Sequence, residues 1–170
     1  DGETITTPWT IPTRDGCIIC HNEQAGYSLS YNTRQLNTSG SIENNAGNFI
    51  DLLHQYGYLD NYNPDVHQGL PRHTRPNETE YSLEHRARSY IDVNCAYCHQ
   101  ENGVGNVTGG VWDGRAHLDL KDMLILDGVV NRGKASPDHQ MLTVKSADDS
   151  VLYKRMDGSS SYAQMPPLAK

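Results

Sequence analysis

The sequence predicts a mainly α-helical protein made of two small lobes with long irregular loops. Three observations lead there. The pattern C-x-x-C-H occurs twice, at Cys17–His21 and at Cys95–His99, and uses all four cysteines. Residues 82–94 carry a helical apolar period that runs straight into the second copy. Residues 60–80 contain Pro64, Pro71 and Pro76 with few apolar side chains, which reads as an interdomain linker. The expected lobes are therefore 1–78, holding the first motif and the linker, and 79–170, holding the second.

Each element has its own argument. Residues 1–16 are polar, with Pro8, Pro12 and a lone Trp9, and read as an extended lead-in. A polar run follows the first motif, and residues 37–48, rich in Asn, Ser and Gly, read as a loop. Phe49, Ile50, Leu52, Leu53 and Tyr56 form one broad apolar side, predicting a helix over 48–59 with Gly57 near its end. Ser82 is the expected N-cap of the next helix, with Glu84 in its first turn. Leu83, Ala87, Tyr90, Ile91 and Asn94 form its inner stripe. Gly103, Gly105, Gly109 and Gly110 then mark a loop whose backbone can approach a cofactor closely. Leu118 to Leu126 is apolar and fits helix or strand equally well. Asp148, Asp149 and Ser150 are placed to cap a short helix running through Met156.

The two motifs carry the chemistry. C-x-x-C-H is the attachment pattern for c-type haem. Two thiols three residues apart on one turn each form a thioether to a haem vinyl group. The adjacent histidine then lies under the iron and supplies its proximal nitrogen. The expected cofactors are two covalently bound haem c groups, held by Cys17 and Cys20 and by Cys95 and Cys98, with His21 and His99 on iron. Zinc held by two C-x-x-C pairs, or two disulfides, are the alternatives, and neither explains a histidine directly after each pair.

A six-coordinate iron needs a second axial ligand. Met165 is the candidate for the second haem, stiffened by Pro166 and Pro167. Met123, Met141 and Met156 read as core fillers. The first half has no methionine, so a histidine must serve the first haem. His54 is favoured because a helix fixes its direction; His67, His73 and a neighbouring subunit remain open. His85, His117 and His139 read as structural or surface residues.

Composition limits the partners and the compartment. Among 170 residues, 36% are hydrophobic and one is phenylalanine, so the protein core is thin unless cofactors contribute to it. The net charge of -7 argues against nucleic acid and anionic membrane surfaces. It leaves room for a basic protein partner; the partners expected of an electron carrier are redox proteins, a dehydrogenase or other cytochromes among them, or further copies of the chain. No apolar run has the length of a membrane span. A chain beginning at Asp1 is read as a mature exported protein. Covalent haem attachment occurs outside the bacterial cytoplasmic membrane, so a periplasmic or extracellular location is expected.

Further segments carry a resemblance. They are Pro12-Thr13-Arg14, Asn32-Thr33-Arg34-Gln35-Leu36-Asn37, Arg86-Ala87-Arg88-Ser89-Tyr90-Ile91, Ser150 to Arg155 and Met165-Pro166-Pro167-Leu168. With the two haem motifs they resemble the small bacterial diheme c-type cytochromes, also found as C-terminal domains of larger exported proteins. The resemblance implies two haems, export and electron transfer, and supports Met165 as a ligand. It implies two cytochrome c-like lobes. Such a lobe usually closes with a C-terminal helix, and only Pro166 to Lys170 follow Met165 here. The stripe of helix 82–94 is then left for the first half or another subunit to cover.

The expected function is electron transfer without net chemistry, the first haem having the lower potential and the second being the His/Met site. Two rivals stand beside it. One is a subunit of an extracellular multihaem filament, motivated by the missing helix. The other is a diheme peroxidase, which needs an iron with an open distal face.

Overall fold

In a computed structural model, residues 11–108, 112–126, 130, 140–158 and 161–167 are described. The described chain divides into two compact units. One comprises residues 30–93, and the other joins the residues up to 29 to those from 94 onward. The lobes expected from sequence, 1–78 and 79–170, would hold one motif each; in this division both motifs fall in the same unit.

The unit of residues 30–93 is built from short elements, each with a local cause. Asn32 caps helix α2 (Thr33–Leu36) by a reciprocal box. Its side chain accepts from Gln35 N at 2.9 Å, and Gln35 Oε1 accepts from Asn32 N at 3.0 Å. Strands β1 (Ser39–Ile42) and β2 (Asn45–Asn48) then pair antiparallel, from Ser39 opposite Asn48 to Ile42 opposite Asn45. The turn uses Glu43 at φ 53°. This hairpin replaces the expected loop. Helix α3 (Phe49–Gln55) starts where Asn48 accepts from Ile50 N at 2.9 Å, and Gly57, at φ 75°, follows its end. It buries Ile50 and Leu52.

Residues 60–80 pack as part of this unit and are not a free linker. They form α4 (Pro64–His67), capped by Asn63, and bury Thr74, whose N–H donates to Ser89 Oγ at 3.1 Å. Helix α5 (Leu83–Cys95) is the predicted helix within a residue at each end. Ser82 caps it, accepting from His85 N at 3.1 Å. Ser89 and Ile91 are buried, whereas Leu83 is 72% exposed.

The other unit begins with α1 (Arg14–Cys20), capped by Thr13. It continues after α5 with α6 (Val104–Thr108) and α7 (Val151–Asp157), which Gly158 ends in the left-handed region at φ 70°. The expected cap at Ser150 is half right. Ser150 occupies the cap position, but its hydroxyl donates to Ser146 O at 2.6 Å, bracing the preceding loop. Leu118–Leu126 is neither helix nor strand. It runs in turns and ends in one bridge, Leu126 to Leu142. Its Met123 and Ile125 join Trp112, Met141 and Val151 in the core. Met123 and Met141 are core fillers as expected, while Met156 is 38% exposed. Trp9 and His139 lie outside the described residues.

The expected fold class is therefore corrected. Among the described residues about 33% are helical and 10% extended, in seven mostly short helices and a two-stranded sheet, which is not clearly a cytochrome c fold. The physical reason is length. A helix packs in layers when its apolar stripe lasts three or four turns. Only α5, with 13 residues, has that length; every other described helix has seven or fewer.

Candidate functional site

The first motif lies at the end of α1. Cys17 and Cys20, three residues apart, share one helical face, and His21 caps the helix with its N–H on Cys17 O at 2.9 Å. The His21 side chain is fixed by Nδ1 on Tyr27 O at 2.7 Å. A carbonyl oxygen only accepts, so Nδ1 carries the hydrogen, and in the neutral ring Nε2 keeps its lone pair. That is the tautomer of an iron-bound histidine, oriented by a carbonyl behind it. Around the motif, Ile18, Ile19 and Tyr27 are 54%, 44% and 64% exposed, apolar surface of the kind a flat porphyrin covers.

The second motif continues from the last residue of α5. Cys98 N and His99 N both donate to Cys95 O, at 3.1 and 2.8 Å, which turns the histidine inward. The His99 ring stacks on Trp112, with centroids 4.3 Å apart and planes 19° apart. Its Nδ1 is buried and has no hydrogen-bond partner among the described residues. Burial pushes the imidazole down to about 4; the positive charge of Arg155 adds to this, and the Asn106 side chain opposes it. In place of the expected loop, the glycine-rich stretch turns into α6, and Gly103 and Gly105 close over this motif. A Cβ on Gly105 would stand 2.7 Å from the His99 ring and 2.9 Å from Cys98 O, and one on Gly103 would collide with Cys98 O. Only glycine lets the backbone come that near.

All four cysteines are free. Burial pushes Cys95 up to about 11 and Cys98 up to about 12, with Cys20 beside Cys98 adding to its shift. No group of three or more His, Cys, Asp or Glu side chains converges on a metal-sized point among the described residues. A haem iron, which brings its own four nitrogens, needs one histidine below it and one ligand above. The residues present fit a covalent haem at each motif.

The distal candidates differ among themselves. Met165 belongs to the same unit as both motifs, and its N–H donates to Arg155 O at 2.9 Å. Arg155 is also the residue whose charge reaches His99, so α7 ties the Met165 backbone to the region of the second motif. His54, in the unit of residues 30–93, stacks on Tyr62 with centroids 4.4 Å apart and directs Nδ1 to Leu59 O at 3.1 Å. This again leaves the lone pair on Nε2. His67 is engaged at both nitrogens: Nδ1 pairs with Asp51 at 2.8 Å, and Nε2 faces Asn37 Oδ1 at 3.2 Å. Tyr62 also bonds Asp51, and these side chains line a polar cavity of about 460 Å³. His73 Nε2 pairs with Asp92 at 2.6 Å, both side chains nearly buried. His85 Nε2 meets Arg72 O at 3.2 Å.

Two features of the site were not foreseen from the sequence: the Trp112 stack on His99 and the meeting of Cys20 with Cys98. Trp112 stands 13 residues beyond His99 in a turn-rich stretch with no period, so no local pattern announces the stack. A scan against protein-family models found no match, and comparisons with curated proteins and with solved structures found none. No helix among the described residues is long and apolar enough to cross a membrane.

Proposed function

We propose that the chain is an exported diheme c-type cytochrome that passes electrons between redox proteins. The observation that carries this reading is the His21 geometry: a C-x-x-C pair on one helical face, followed by an imidazole whose Nδ1 is tied to a backbone carbonyl and whose Nε2 is left for iron. A bound haem c supplies an iron(III)/iron(II) couple. The chain's own residues do the rest. Cys17, Cys20, Cys95 and Cys98 anchor the two groups, and His21 and His99 set their axial nitrogens. Trp112, Gly103 and Gly105 keep His99 buried, and a buried setting would disfavour the extra charge of an oxidised iron and so raise the potential of that site. Met165 is the proposed sulfur ligand of the second haem. His54 stays the favoured histidine, since its Nδ1 meets Leu59 O and a neutral ring then leaves Nε2 open. Export follows from attachment chemistry that takes place outside the cytoplasmic membrane.

A potentiometric titration of the purified holoprotein, followed in the visible spectrum, tests the proposal. Two reversible one-electron waves at different potentials are expected, with a methionine–iron band in the oxidised form and no steady consumption of peroxide. Sustained peroxide turnover would instead place the protein among peroxidases. Two haems titrating at one potential, with no methionine–iron band, would contradict the ligand assignment.

A further inference from the structure

We infer that Cys20 and Cys98 hold the two haems edge to edge, so that the pair forms one electronically coupled unit; this rests on the diheme reading above. Cys20 Sγ and Cys98 Sγ lie 4.0 Å apart although 78 residues separate them in sequence. Cys98 Sγ also lies 3.9 Å from Ile19 O, inside the first motif. A second tie lies just beyond the motifs: Gln100 Nε2 donates to Gln24 O at 2.8 Å. The two motifs are thus joined both at their second cysteines and at the residues that follow their histidines. All of these residues belong to one compact unit.

The attachment chemistry converts sulfur contact into ring contact. Each thiol adds across a vinyl C=C. The sulfur bonds to the inner vinyl carbon, the thiol hydrogen goes to the outer carbon, and the π bond is lost. Nothing leaves and no oxidant is consumed. The inner carbon is itself bonded to the porphyrin rim, so each sulfur sits two bonds from a conjugated ring. Two sulfurs in van der Waals contact therefore hold two rims close together. Electron exchange across that gap is balanced within the pair, one iron passing from II to III as the other passes from III to II. The competing fate of the same two thiols is a disulfide. It would need the sulfurs to close to about 2.05 Å and an oxidant to take two electrons and two protons.

The experiment is circular dichroism in the Soret region on the holoprotein, alongside its intact mass. The double variants Cys17→Ala/Cys20→Ala and Cys95→Ala/Cys98→Ala each supply a single-haem spectrum. The expected result is a two-signed couplet in the wild type that the sum of the single-haem spectra does not reproduce, and that is lost when either haem is removed. A wild type that carries two haems by mass but whose spectrum equals that sum overturns the inference and leaves electron transfer standing. Where a double variant fails to fold, electron paramagnetic resonance of the fully oxidised wild type decides. Signals broadened by mutual interaction support the pair, and two independent ferric signals refute it. A chain with no added mass, or one two hydrogens lighter through a Cys20–Cys98 disulfide, sinks the diheme reading itself.

Discussion

Replacing Gly105 by alanine tests how tightly the second site is packed. The new Cβ would lie 2.7 Å from two atoms of the His99 ring and 2.9 Å from the Cys98 carbonyl oxygen. The carbonyl belongs to the turn that begins at Cys95, and the ring is stacked on Trp112, itself 2% exposed. Neither neighbour can withdraw without disturbing the core. Forcing an extra carbon into such a site costs about 1–3 kcal/mol. Gly105 lies in α6, where alanine recovers at most about 1 kcal/mol of helix propensity. The net expectation is a loss of about 1–2 kcal/mol, read from denaturant unfolding with an unchanged slope. Gly69→Ala is the matched control. Its Cβ would meet only Val66 O, at 3.6 Å, an ordinary contact, and the substitution should stay within about 0.5 kcal/mol of wild type. If Gly105→Ala is as stable as the control, the close approach of the glycine loop to His99 is wrong.

Three further outcomes follow from the same geometry. Met165→Ala should abolish the methionine–iron band and lower the potential of one haem while leaving the other in place; a spectrum identical to wild type would remove Met165 from the ligand set. Asp92 pairs with His73 at 2.6 Å and accepts from Asn32 at 3.1 Å, with side-chain exposures of 11% for Asp92 and 8% for His73. Asp92→Asn, which removes the charge from these hydrogen bonds, should cost about 1.5–3 kcal/mol in unfolding free energy, and a change below about 0.5 kcal/mol would show that the contact is not closed in solution. In haem-free polypeptide, His99 is held at about 4 against an ordinary 6.5. A depressed folded value means the unfolded chain binds the proton first. Stability is then fully present above about 6.5 and falls as pH drops toward 4, by about 3 kcal/mol in all. His99→Gln should flatten that dependence in a denaturation series across pH, and an equally steep slope in the variant would assign the effect elsewhere.

The parts legible in the sequence are those with a local cause. Helix α5 was readable because Ser82 caps it and its apolar period ends at Cys95. Helix α3 was readable because Phe49, Ile50 and Leu52 repeat on one side. Hairpin β1–β2 was hidden because Ser39-Gly40-Ser41 and Asn45-Ala46-Gly47-Asn48 lack the branched and aromatic residues typical of strands. It exists through tertiary fit, since any Cβ at Gly40 would strike the Phe49 ring. The three prolines of residues 60–80 suggested a linker. Yet His67, His73 and Thr74 find partners at Asp51, Asp92 and Ser89, and such long-range pairs leave no period to read. The motif residues were legible because their spacing is itself the chemistry. Their convergence at Cys20 and Cys98 was not, being set by the path of the intervening chain. The cytochrome c-like lobes expected from the resemblance failed for want of long helices, although the motifs that suggested them remain.

The most direct measurement is the intact mass of the protein produced in a host that matures c-type haem, paired with a pyridine haemochrome spectrum. The expected result is the polypeptide mass plus two haems, four cysteines closed to alkylation, and a c-type spectrum of two haems per chain. A colourless protein of bare polypeptide mass, with four thiols open to alkylation, would contradict it.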